Sequence, residues 1–136
     1  MTPPRFDAVE EGDDLAPWDR FLAKDDVRAY AHASGSAFPR FTDDAGARKE
    51  GLPGMIAPGN MSVGLFAAML ERWGGPGSVS RLGTTFRGLV LPDRTVRLRA
   101  VVTQKNERTR SVEVDLWMES DDGERLVIGT ATVNLA

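Results

Sequence analysis

The chain has no cysteine, one histidine and one tyrosine among its 136 residues, and each scarcity removes a class of chemistry. Without thiols there is no disulfide, no thiolate-held zinc and no cysteine nucleophile. A single histidine, His32, excludes a multi-histidine metal centre, and neither a phosphate loop nor a Ser-His-Asp arrangement can be traced. No metal and no cofactor are therefore expected. Long apolar runs are missing too, since no stretch approaches the ~20 residues of a membrane-spanning helix. The opening Met1-Thr2-Pro3-Pro4-Arg5-Phe6 contains no apolar signal region. Seventeen basic side chains face twenty acidic ones, for a net charge of −3, and no Lys/Arg block occurs. That balance argues against nucleic acid or an anionic membrane as a partner, and a cytoplasmic location is the expectation.

What is present is an ordinary globular composition, 41% apolar and 27% charged, in a chain whose length suits one domain spanning residues 1–136. Residues 1–15, rich in Pro, Gly and acidic side chains, read as an irregular lead-in. Asp25 and Asp26 open a short helix, favoured by the helix dipole, with Val27, Tyr30 and Ala31 on its apolar face and Gly35 as its C′ residue. Ser36 to Pro58 is broken by Pro and Gly and is expected to hold no regular element. Asn60 to Trp73 is apolar nearly all round, which predicts a buried helix with Asn60 as N-cap, stopped by Gly74-Gly75-Pro76-Gly77. Beyond it, Val96, Leu98, Ala100 and Val102 alternate with polar neighbours. So do Val112, Val114, Leu116 and Met118, and Val127 to Leu135 share one face of a last strand. A period of two marks half-buried antiparallel strands. One buried helix followed by such strands is an α+β arrangement.

Three stretches carry a family resemblance. Ser34-Gly35-Ser36-Ala37-Phe38-Pro39-Arg40-Phe41-Thr42-Asp43 is similar to the Ser-Gly-Asp-x-Asn-Pro-x-His-x-Asp loop of the MaoC-like (R)-specific enoyl-thioester hydratases. Gly54-Met55-Ile56-Ala57-Pro58-Gly59-Asn60-Met61 resembles their Pro-Ile-x-His-Gly-Met-type turn into a long helix, with no gap needed between the two. Phe86 to Thr95 resembles their Arg-Phe…Pro-Val…Pro-Gly-Asp-Thr turn, with Asp93 and Arg94 in place of Gly-Asp. The resemblance implies a hotdog fold, a curved antiparallel sheet wrapped around one long helix, and a tendency to pair into dimers.

Within the resemblance the chemistry has changed. Ser36 stands where the family has its catalytic Asp, Phe38 where it has Asn, and Phe41 where it has the catalytic His. Adding water to an enoyl-thioester needs a proton carrier with a pKa near neutrality. Phe41 carries no proton, and Ser36 without a partner is a weak base. His32 lies upstream in the first helix and reads as a surface residue. Gly59 matches the family glycine whose N–H polarises the thioester carbonyl, a donor geometry independent of side chains; it also reads as a residue that permits a tight turn. Pro58 fits a turn before a helix. Candidate acid–base groups are Ser36, Arg40 and Asp43. Candidate binding residues are Phe38, Phe41, Pro58, Gly59 and Asn60, and Trp117 is a candidate interface anchor.

Three functions are compatible with this pattern. The first is a non-catalytic acyl-thioester-binding subunit, paired with a catalytic hotdog chain and taking coenzyme A or acyl-carrier-protein thioesters. A second is an active dehydratase, isomerase or cyclase, as homodimer or heterodimer, working with Ser36, Arg40 or Asp43 in fatty-acyl, polyketide or other secondary metabolism. The third is a hotdog protein that holds an apolar small molecule between Phe38 and Phe41.

Overall fold

In a computed structural model, which describes residues 2–136, the chain forms a five-stranded antiparallel sheet curved over one long helix. The strands are β1 (Trp18–Phe21), β2 (Val79–Phe86), β3 (Thr95–Asn106), β4 (Ser111–Glu119) and β5 (Arg125–Asn134), in the spatial order β1-β3-β4-β5-β2. The helices are α1 (Lys24–Ala33), α2 (Pro39–Thr42), α3 (Asp44–Lys49) and α4 (Gly59–Gly74). This is the α+β arrangement expected from the sequence.

The three long strands follow from the period of two. Val96, Leu98, Ala100 and Val102 of β3 are buried, as are Val112, Val114, Leu116 and Met118 of β4 and Val127, Ala131 and Val133 of β5. In register, Leu98 opposes Met118, Ala100 opposes Leu116, and Val114 opposes Ala131, so the apolar rows of neighbouring strands coincide. A one-residue slip would turn each row to solvent, which is why the pattern specifies the pairing. Against this face α4 lays Met61, Ser62, Phe66, Met69 and Leu70.

The other two strands carry no clear alternation and were not anticipated. β1 has four residues, and β2 is an edge strand whose residues are mostly exposed or half-buried. The lead-in is more ordered than its composition suggests. Phe6, Val9 and Leu15 are buried in the core. The Gly12 and Leu15 amides donate to Val102 O and Ala100 O, and Asp13 O accepts from the Val102 amide. The segment thus straps the β3 edge next to β1, leaving β2 as the long open edge.

Two expectations about the middle of the chain need correction. Residues 36–58 are not without regular structure, because they hold α2 and α3. Pro39 starts α2 at a position where its missing N–H costs nothing, and Asp43 caps α3, so the same residues that break long helices initiate short ones. Asn60 is not the N-cap of α4; the cap lies two residues earlier, at Pro58, with φ −64° and ψ 145°, and Gly59 is the first helical residue. Nor is α4 buried on every side. Asn60, Gly64 and Glu71 are exposed, because the sheet covers one side only and α1 reaches the other through Tyr30, whose hydroxyl lies beside Gly64.

Candidate functional site

The loop that resembles an active site begins where α1 ends. Gly35, at φ 72°, lets the chain leave the helix in the left-handed region. The Gly35 amide donates to His32 O at 3.3 Å and the Ser36 amide to Ala31 O at 2.7 Å. This is a Schellman closure, and it fixes where Ser36 emerges. His32 is exposed on the last turn of α1.

From Ser36 the backbone is laced inward. The Phe38 amide donates to Ser36 O at 2.7 Å, and Phe41 N–H to Phe38 O at 2.9 Å. Arg40 O accepts from Ile56 N–H at 2.9 Å, and Val90 O accepts from Ala57 N–H at 2.8 Å. The Tyr30 hydroxyl donates to Asn60 O at 2.9 Å. Main-chain bonds therefore tie the loop to the connector, and the Tyr30 hydroxyl ties α1 to the first turn of α4.

The side chains on this framework are largely occupied with each other. Ser36 Oγ lies 3.1 Å from Ser34 Oγ, a hydroxyl pair with no base attached. Phe38 and Phe41 meet edge to face with centroids 6.4 Å apart, and Phe38 remains 61% exposed. The Arg40 guanidinium is 3.0 Å from Glu50 Oε1 and 5.9 Å from the Phe41 ring centroid. Asp43 Oδ2 accepts the Gly46 amide at 2.8 Å as the α3 cap.

Asp44, not singled out from the sequence, ties three segments together. Its Oδ2 accepts from Lys24 Nζ at 2.8 Å and its Oδ1 from the Met55 amide at 2.9 Å. The Lys24 hydrogen bond, then the Met55 amide, holds its carboxyl below the usual range. No group of three or more His, Asp or Glu side chains suited to a metal ion occurs among the described residues.

The entrance to α4 explains Gly59. Its φ is not positive, so the turn does not demand glycine. A Cβ there would lie 2.8 Å from Phe86 Cζ and within 3.3 Å of both Cε atoms. The Phe86 ring rests on the first turn of the helix while 52% exposed. Neither Phe86 nor Tyr30 was singled out as a site residue, because the contact each makes joins elements distant in sequence. Asp93, before β3, is a different case: it sits at φ 59°, a region that glycine enters freely and Asp tolerates.

Trp117 faces outward on β4, stacked by the Arg125 and Arg99 guanidinium groups at 4.3 and 5.5 Å and donating to Glu119 Oε1 at 2.7 Å. Its indole is engaged within the chain. No helix among the described residues is long and apolar enough to cross a membrane.

Comparison with known proteins agrees with this geometry. Residues 8–123 match the MaoC like domain family. Among solved structures, a MaoC-like dehydratase superposes with a TM-score of 0.92 at 26% identity, over 98% of this chain and 43% of that one. This chain thus spans less than half the length of that protein. The (R)-hydratase from A. caviae involved in PHA biosynthesis gives a TM-score of 0.88 at 23% identity, covering 95% of this chain and 98% of that one. The ChsH1-ChsH2 complex from Mycobacterium tuberculosis gives 0.86 at 17% identity, over 94% of this chain and 99% of its matched chain. No curated protein matches the sequence. The domain match covers most of the chain and the hotdog framework is complete, so the chain belongs to the MaoC-like hydratase/dehydratase family.

Proposed function

We propose that this chain is a non-catalytic subunit of a heteromeric enoyl-thioester hydratase/dehydratase, binding the acyl-thioester beside a catalytic hotdog chain. The observation that carries the reading is the local use of every polar group on the Ser36–Asp43 loop. Ser36 pairs with Ser34, Arg40 with Glu50, and Asp43 caps a helix. None of these is a proton carrier joined to a second one, as addition of water across a double bond requires.

What is retained supports binding. The α4 N-terminus has no side-chain cap, and Pro58-Gly59-Asn60 open it beside Phe86. Backbone amides at such a terminus suit a polarised carbonyl oxygen. Phe38 and Phe41 offer apolar surface to an acyl chain. The open β2 edge, ending in Phe86 at 52% exposure and followed by Leu89 at 45%, is the kind of surface a second hotdog chain covers. Two structural neighbours bear names of complexes, ChsH1-ChsH2 and the HadBC (3R-hydroxyacyl-ACP dehydratase) complex.

The test has two parts. The purified chain is assayed for hydration of short and medium trans-2-enoyl-CoA by loss of the conjugated enone absorbance, and no turnover is expected from folded protein. It is then co-expressed with a hotdog chain carrying the intact Asp and His, and a stable pair with activity is expected. Turnover by the chain alone would overturn the reading and promote Ser36, Arg40 or Asp43 to working groups. A homodimer that ignores such a partner would overturn it as well.

A further inference from the structure

Away from the loop and the α4 entrance, a depression of about 230 Å³ opens where the start of α1, α3 and the turn into β3 meet. Its charged lining is Lys24, Arg48, Arg94 and Asp44, three cations against one carboxylate, while Met55 and Pro92 form part of its wall. Two further carboxylates flank this lining, Asp93 at the Lys24 amide and Asp121 at Arg94.

The single carboxylate is fully used. Both Asp44 oxygens are taken, one by Lys24 Nζ and the other by the Met55 amide. Asp93, next to the lining, accepts the Lys24 amide at 3.2 Å. Arg48 donates Nε to Pro53 O at 3.4 Å. It has no carboxylate within ion-pair distance among the described residues. Arg94 is 3.6 Å from Asp121, with both side chains 51% exposed, and such a surface pair is weak and easily exchanged for a better acceptor.

Two guanidinium groups without a strong partner, beside a lysine already anchored, make a donor set for a compact anion. Arg offers a planar fork that matches phosphate oxygens two at a time. The rigid Pro53 and Pro92 backbone around it limits the entropy lost on binding. We propose that this depression is a phosphate-binding site, with Arg48 and Arg94 as the donors and the Lys24–Asp44 pair as the fixed wall that holds them apart. The site stands on these charges and does not rest on the subunit reading above.

Binding is measured by calorimetric titration of the full chain with inorganic pyrophosphate and, separately, with coenzyme A, at low ionic strength. One-to-one saturation by at least one probe is expected. Arg48→Gln and Arg94→Gln should each weaken it about tenfold or more, the usual loss for a charge-assisted hydrogen bond. Raising the salt to screening concentrations should weaken it further. Arg72→Gln, far from the depression on α4, should leave it unchanged. Tighter binding of coenzyme A than of pyrophosphate would assign the phosphate to a larger ester ligand, and equal binding would assign it to a free anion. Failure of both probes to saturate overturns the proposal. So does binding by folded Arg48→Gln and Arg94→Gln proteins equal to that of the unaltered chain, or an equal loss in Arg72→Gln.

Discussion

The sheet with α4 and the segment from Ser34 to Pro58 are built on different principles. In the first, position is set by burial: rows of Val, Leu and Met from β3, β4 and β5 close on Phe66, Met69 and Leu70. In the second, many positions are set by hydrogen bonds or ion pairs, and Ala47, Met55, Ala57 and Pro58 are its buried residues. Burial is non-directional and tolerates changes of residue that keep volume and pattern. Hydrogen-bonded lacing is directional, yet it depends on the backbone more than on side-chain identity. That difference accounts for a loop whose course is set largely by main-chain bonds, with Ser36 and Phe41 carried on it.

The sharpest way to break the comparison is a large deletion in the core. Phe66→Ala should cost about 3–5 kcal/mol, read from urea denaturation, whereas Phe38→Ala, at a 61% exposed ring, should stay within about 1 kcal/mol. Equal losses would mean that the loop is packed as tightly as the core.

A second pair of substitutions sets two glycines against each other. A Cβ on Gly129 would come within 2.2 Å of Gly83 O, a backbone atom in a paired strand. Gly129→Ala should therefore cost up to about 3 kcal/mol, the upper range for overpacking. Gly59→Ala meets only the tip of the exposed Phe86 ring. It should cost less than Gly129→Ala, and Phe86→Ala in the same chain should recover most of the loss. A double variant no more stable than Gly59→Ala would show that Phe86 is not the reason for the glycine.

Smaller again is the effect at Asp43. Asp43→Ala removes the α3 cap and should lower stability by about 1 kcal/mol, while Asp43→Asn, an equally good cap, should be near neutral. If Asp43→Asn instead abolished a measured activity without loss of stability, the carboxylate would be chemical and not structural.

The smallest expected effect concerns acid. Asp44 is held below the usual carboxylate range by Lys24 and the Met55 amide, and Asp19 by Arg97. A carboxyl with a lowered folded-state pKa contributes stability that is fully present above its unfolded pKa of about 3.8. The contribution is lost as pH falls below that value through the lower one. Thermal midpoints recorded from pH 6 downward should therefore fall less steeply below pH 4 in Asp44→Asn than in the unaltered chain. Parallel curves would mean that the Lys24–Asp44 contact does not persist in solution.

How much of this was legible beforehand follows the same division. The alternation in β3, β4 and β5 and the apolar run of α4 are local records of burial, so those elements and their apolar faces could be read directly. Gly35 as the C′ residue of α1 was legible for the same reason, since the left-handed turn is a property of one residue. β1 and β2 were not, because short or edge strands carry little alternation and acquire their definition from β3 and β5. Within the loop, Ser36, Phe38 and Phe41 were legible as candidates through their order along the chain. Tyr30, Asp44 and Phe86 were not, because their significance lies in contacts with Asn60, Lys24, Met55 and Gly59, which belong to other elements.

The amino-acid sequence by itself determined the class of fold, the helix at its centre, and the lack of any histidine in the stretch from Ser34 to Asp43. These are matters of residue type and of periodicities that act over a few residues. Tertiary structure alone decided that Arg40 faces Glu50, that Gly59 lies under Phe86, and that Lys24, Arg48 and Arg94 gather around one depression. Each depends on side chains from different elements brought within a few ångströms by the fold, and such distances leave no trace in the local pattern of a chain.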